Sequence, residues 1–273
     1  MARTIQSLDH YIAADKQYVE IFRNTSRTAV ANAIESVMGI AGIPGAGTLA
    51  GSNTANGVKE TDATAGYPII NPFVAGGKGY ITNIDLHNTV VGHIRLVDVL
   101  FKAGAYAFNA NVTLASQPDL SDRIPMMPDG ATPDWTNTEI WLEAVTAFTG
   151  NQSIRCTYLD QGGAAGDTGV IATGIAPIIG RCYRMPFAAG DCGVRRLDSV
   201  ISSVSTVGTF NVLIVRKLFM KRIFVASKME SYDLSQTGMP EVFDTSALAL
   251  YVQPDSTATQ LPYARIEIAS KAP

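Results

Sequence analysis

From about residue 67 onward, apolar side chains recur at every second position, and this alternation restricts the chain to β-rich folds. Tyr80, Ile84 and Leu86 alternate with Asn83, Asp85 and His87. Ile154, Cys156 and Tyr158 alternate with Ser153, Arg155 and Thr157, and Ala264, Ile266 and Ile268 with Arg265 and Glu267. Each stretch has the pattern of a strand with one buried face. Four further runs, Ile94 to Phe101, Ile140 to Phe148, Phe210 to Val215 and Leu248 to Val252, are apolar almost throughout, as in strands covered on both faces. Gly, Pro and Asn clusters separate these runs, and no helical pattern intervenes. The expected class is therefore mainly β, an antiparallel β-sandwich or jelly roll rather than a series of βαβ units.

Local turn chemistry suggests two hairpins. Thr149-Gly150-Asn151-Gln152 would join the halves of residues 139–159, and Ser205-Thr206-Val207-Gly208 would join 199–204 to 210–218. Residues 117–134 carry Pro118, Pro125, Pro128 and Pro133, which predicts a stiff loop.

The N-terminal region reads differently. Leu8, Tyr11, Ile12, Asp15, Tyr18 and Val19, then Val30, Ala33, Ile34, Val37 and Met38, follow a helical rhythm across residues 5–38. Gly39 to Gly66 is almost devoid of large apolar residues and reads as an extended arm. Two parts are expected: residues 1–66, a short helical segment with a Gly/Ala-rich arm, and residues 67–273, the β-sandwich. An apolar stripe with no evident partner in its own chain should find one elsewhere. Leu8, Tyr11, Ile12, Ile34 and Val37 are the expected anchors on another subunit, each worth about 1.5–3 kcal/mol when fully buried.

Composition narrows the partners. Only 16% of residues are charged, against about 25% in an average soluble domain, so much of the surface is small and neutral. The net charge of -3 sets up no field for nucleic acid or an anionic membrane, and neither is expected as a partner. No apolar run reaches the roughly 18 residues of a membrane span, and the N-terminus lacks the pattern of a signal peptide. Cys156, Cys182 and Cys192 are an odd number and are expected to stay reduced, as in a protein made in a cytosol. Three matches to the N-glycosylation pattern, at Asn24, Asn111 and Asn151, carry no weight without a secretory route.

Candidate chemistry is sparse. His87 and His93 match no zinc spacing, and Cys182 and Cys192 are too far apart for a C-x-x-C site. Gly45-Ala46-Gly47-Thr48-Leu49-Ala50 fits the letters of a dinucleotide fingerprint but not the required strand-turn-helix setting. Asp129, Asp134, Glu139 and Glu143 are the nearest cluster of acids that could form a hydrolytic pair, although loop position makes solvated acids the better reading. The basic run Arg216-Lys217 and Lys221-Arg222 is too narrow for nucleic acid and suits ion pairs or solvent. No catalytic residue, metal or cofactor is expected, and no enzymatic role.

Four stretches resemble a family of tailed-bacteriophage virion structural proteins: Ser7-Leu8-Asp9, Gly42-Ile43-Pro44-Gly45-Ala46-Gly47, Gly190-Asp191-Cys192-Gly193-Val194-Arg195, and Phe210-Asn211-Val212-Leu213-Ile214-Val215-Arg216-Lys217-Leu218. The last fifty or so residues have no counterpart in that pattern. The resemblance implies a non-enzymatic virion component made in the bacterial host's cytoplasm. A capsid decoration or cement protein is the leading expectation, with a major capsid or tail subunit, or a receptor- or glycan-binding tail protein, as alternatives. The implied partners are major capsid or other virion proteins and further copies of itself, a trimer being favoured.

Overall fold

A computed structural model describes residues 5–25, 27–74, 77–174, 177–203 and 207–271. Its principal strands are β1 (Asp15–Arg23), β2 (Ile34–Ser36), β3 (Lys78–His87), β4 (Gly92–Ala107), β5 (Thr138–Ala144), β6 (Ser153–Asp160), β7 (Arg181–Arg184), β8 (Val194–Ser202), β9 (Thr209–Ile223), β10 (Leu248–Pro254) and β11 (Tyr263–Lys271). Two short helices, α1 (Leu8–Ile12) and α2 (Leu234–Thr237), complete the main elements. Every pairing between these strands is antiparallel, so the mainly β antiparallel class read from the alternation is the one found.

Among the described residues the strands form three larger sheets and a two-stranded ribbon, Arg27–Thr28 with Thr259–Gln260. In the largest, six of seven strands run in the order β9-β5-β7-β2-β10-β4, and β4 pairs back onto β9, closing a small barrel. Alternate residues then face inward and outward. Val97, Val99, Trp141, Cys182, Leu213, Val215, Ala249 and Tyr251 fill the interior. A barrel of so few strands has room for side chains only, and the Trp141 and Tyr251 rings meet edge to face at 4.7 Å from the non-neighbouring strands β5 and β10.

The barrel's outer face packs on both other sheets. Ile140, Leu142, Phe210, Val212 and Ile214 lie against Ile154, Cys156, Leu197 and Val200 of the β6–β8 sheet. Ile94, Leu96, Leu248, Leu250 and Val252 lie against Ile21, Ile84, Leu86 and Ile266 of the β3-β11-β1 sheet. Between these apolar clusters sits Asp98, fully buried on β4. It accepts hydrogen bonds from Arg123, from Arg216 Nη2 at 3.1 Å, from Ser246 Oγ at 2.8 Å and from the Ala247 amide at 3.0 Å. Arg123 comes from the proline-rich loop, which is held to the body by this ion pair and closed on itself by a bridge between Met126 and Pro133.

Several local expectations are overturned. The helical rhythm across residues 5–38 holds only for Leu8–Ile12. Beyond it the chain forms β1, where Val19, Ile21 and Arg23 are buried on one face, and then β2. The boundary at residue 66 divides no sheet: β1 is paired along its length with β11, and β2 is a barrel stave between β7 and β10. Neither hairpin forms. β5 is in the barrel and β6 in another sheet, and β8 pairs with β6 while β9 pairs with β4 and β5. Val204 to Thr206 of the second expected turn lie outside the described residues.

The arm is not free either. It is laid across one end of the barrel, where Val58–Lys59 pairs with β4 and Asn211 on β9 donates to the Leu49 carbonyl at 2.7 Å. Its small residues permit this closeness. A Cβ on Gly51 would lie 2.9 Å from the Gly104 nitrogen, and one on Gly57 would strike the Phe101 ring. Arg23, pushed down to about 10 by burial, ties both ends of the segment by donating to the Pro44 and Gly66 carbonyls.

Candidate functional site

The five residues expected as interface anchors separate into two groups. Val37 is buried in its own chain's core, and Ile34 packs at the barrel interior, so these two are not available to a partner. Ile34 opens β2 and Val37 follows its end, and a strand of Ile34–Ser36 is too short to show a period of two and passes for part of a helix. Leu8 and Ile12 are 67% and 65% exposed on α1. Tyr11 turns inward and fixes that helix to its own sheet. Its hydroxyl donates to Glu267 Oε1 at 2.7 Å, Thr82 Oγ1 donates to the same oxygen at 2.7 Å, and Tyr18 donates to Oε2 at 2.6 Å. Ser7 caps the helix by accepting from the His10 amide. Between α1 and α2 lies a cavity of about 380 Å³ lined by Ile5, Leu8, Tyr11, Leu234 and Met239. The N-terminal segment therefore docks in cis and presents Leu8 and Ile12 outward, with the partly exposed Leu234 of α2 nearby.

Burial raises the Glu267 carboxyl, but the three hydroxyl donors outweigh it and hold the group below the usual carboxylate range. A carboxyl whose folded pKa is depressed stabilises the fold above its unfolded pKa and loses that contribution as pH falls through the folded one. As pH falls below the ordinary carboxylate range and through this depressed value, the clamp on α1 should release. Hydrogen exchange of residues 8–14 is expected to accelerate in acid before that of β11 does, and Glu267→Gln should show the faster exchange already at neutral pH. Equal exchange in the two proteins at neutral pH would show that the clamp does not hold α1.

A second concave feature is the end of the barrel that the 39–66 segment leaves uncovered. This mouth has a volume of about 290 Å³, with Ile34, Trp141, Phe219 and Met220 as apolar walls and Arg95, Arg184, Lys217 and Glu139 as its charged groups. Glu139 Oε1 is 2.8 Å from Arg184 Nη2 and 3.3 Å from Lys217 Nζ, and Glu139 Oε2 accepts the Trp141 indole N–H at 2.8 Å. Arg95 donates to Gln253 Oε1 at 2.7 Å, while its Nη1 is buried with no hydrogen-bond partner. Burial lowers the Arg95 guanidinium, Glu139 opposing and Arg184 reinforcing that effect.

The acids do not assemble. Asp129 folds its own loop by accepting from the Ala131 and Thr132 amides, which holds it at about 2, and Asp134 accepts from Thr136. Glu143 is at the covered end of the barrel, raised by burial although Lys102 and Asn211 pull it down. His87 and His93 belong to different sheets, and the three cysteines are free thiols. Among the described residues no group of three His, Cys, Asp or Glu side chains could hold a metal ion, and no helix is long and apolar enough to cross a membrane. The basic run is absorbed within the chain: Arg216 by Asp98, Lys217 by Glu139, Arg222 by Asp255, and Lys221 over the Tyr232 ring.

Arg95 escapes a reading by residue type because it sits in an apolar run taken as buried on both faces. A cation inside such a run was itself a signal, since a buried charge must meet a partner or line a cavity.

Neither a known protein family nor any curated protein matches the sequence. Among solved structures, two of infectious bursal disease virus, the Gt and Gx strains, align over 95% of this chain and 82% of theirs at 9% identity, with TM-scores of 0.19 and 0.18. The VP2 subviral particle of the same virus aligns over 94% of this chain and 80% of its own at 7% identity, with a TM-score of 0.15. Superpositions this loose carry no argument about function.

Proposed function

We propose that the protein is a non-enzymatic structural component of a bacteriophage particle, in the first instance a decoration or cement protein that stabilises contacts between shell subunits. The observation that carries this reading is the outward-facing pair Leu8 and Ile12, fixed on the antiparallel framework by the Glu267 clamp, with Leu234 of α2 beside them across the shared cavity. Apolar side chains that are contiguous as well as exposed mark surfaces that associate with other proteins, and Leu8 and Leu234 line one cavity. The four stretches resembling phage virion proteins add support, since the first of them, Ser7-Leu8-Asp9, opens α1. A protein that binds only the assembled shell stabilises it by mass action and needs no chemistry. Copies of the chain would gather around a closed symmetry axis, a trimer at threefold positions being the favoured arrangement.

The test is quantitative mass spectrometry of purified particles, combined with rebinding of the recombinant protein. Copy numbers in the hundreds, with a Leu8→Ser/Ile12→Ser variant that folds normally but no longer rebinds, are the expected result. A handful of copies would instead favour a tail-tip role in receptor or glycan binding. Absence from particles would overturn the virion reading.

A further inference from the structure

We propose that the open mouth of the barrel is a binding pocket for a small carboxylate ligand, with the acid group held by Arg95, Arg184 and Lys217 and an apolar body resting against Ile34, Phe219 and Met220. This site is separate from the α1 surface and does not depend on the particle reading. Three cations converge there on one resident anion. Glu139 already divides one oxygen between Arg184 and Lys217 and commits the other to the Trp141 indole. Arg95 has only the neutral Gln253 oxygen as acceptor, and its second terminal nitrogen has none. A guanidinium in this position is matched by a carboxylate, whose two oxygens suit its parallel N–H groups.

Shape supports the same ligand class. Barrel mouths are recurrent ligand sites, apolar in their lining with a few convergent polar groups. At about 290 Å³ the space suits an acid of the size of 3-phenylpropionate. The side chains of Arg184 and Lys217 are 59% and 48% exposed, so both can turn from Glu139 toward an incoming acid without disturbing the interior. An inorganic anion would meet the same cations but leave the Ile34, Phe219 and Met220 walls unused.

The experiment titrates 3-phenylpropionate into the full-length protein and follows the two tryptophan indole N–H resonances. Trp141 lines the mouth, and Trp135, in the cluster outside the barrel, is the internal control. A saturable shift of Trp141 alone is expected, with no shift from 3-phenylpropionamide and weaker binding of inorganic phosphate. Arg184→Gln and Lys217→Gln should each weaken binding about tenfold, as loss of one charge-assisted hydrogen bond implies, while melting as the native protein does. The proposal is overturned if acid and amide shift Trp141 alike, if phosphate binds as tightly as the acid, if neither substitution changes affinity, or if the acid produces no shift at saturating concentration.

Discussion

Asp98→Ala is expected to remove about 3–5 kcal/mol of folding stability, because it strands two buried guanidinium groups that share one counter-ion. Small domains have only about 5–15 kcal/mol in total, so the variant should be largely unfolded on modest warming. Burial alone would raise the Asp98 carboxyl, yet Arg123 and Arg216 bring it below the usual range. Its contribution is therefore complete above the unfolded carboxylate pKa and lost as pH falls through the folded value, which makes this cluster a determinant of acid sensitivity. Urea denaturation measures the effect. Asp198→Ala, which breaks a half-exposed pair with Arg196, is the control and should cost less than about 1 kcal/mol. Equal midpoints for Asp98→Ala and the native protein would show that the cluster does not bind the two halves of the core together.

Deleting residues 1–45 should abolish folding, whereas deleting residues 1–13 should leave a folded protein. The longer deletion removes β1, whose pairing with β11 runs from Asp15 opposite Ser270 to Phe22 opposite Tyr263. It also removes β2, which supplies the pairing partners of Arg181, Cys182, Tyr251 and Val252 and so closes the barrel. Buried strand edges without partners leave backbone groups unsatisfied, and a sheet missing an interior strand exposes its apolar face. The shorter deletion takes only α1 and its flanks, with Ile5 and Tyr11 as the main packing losses. Circular dichroism and thermal melting distinguish the outcomes, and a cooperative transition in the 46–273 fragment would contradict the barrel closure described above.

The alternation in Tyr80 to Leu86, Ile154 to Tyr158 and Ala264 to Ile268 made the fold class legible, because a period of two is a local property. Strand partnership is not. β5 and β6 are neighbours in sequence with turn residues between them, yet they do not pair with each other: β5 takes β9 and β7, and β6 takes β8 and the short strand Ala165–Asp167. The error at residues 15–38 has a specific source: Asp15, Tyr18 and Val19 continue the spacing set by Leu8, Tyr11 and Ile12, while Val19, Ile21 and Arg23 carry the alternating pattern that β1 follows. Short runs satisfy both periods. The arm's attachment is hidden in the sequence because small side chains look like an absence of anchors, whereas at Gly51 and Gly57 they allow attachment through backbone proximity. Of the candidate surfaces, Leu8 and Ile12 were visible in the sequence. The mouth was not, since its cations come from β4, β7 and β9, which only barrel closure brings together.

The long pairing of β4 with β9 runs from Gly92 opposite Ile223 to Ala107 opposite Thr209, past both apolar clusters and the buried ion group between them. This ribbon is a common spine. A tensile load entering at one flank would be carried along the strands in shear rather than peeling them apart one hydrogen bond at a time. The two flanking sheets thus lack a hinge between them, and a force that loosens one must first slide the ribbon that supports the other.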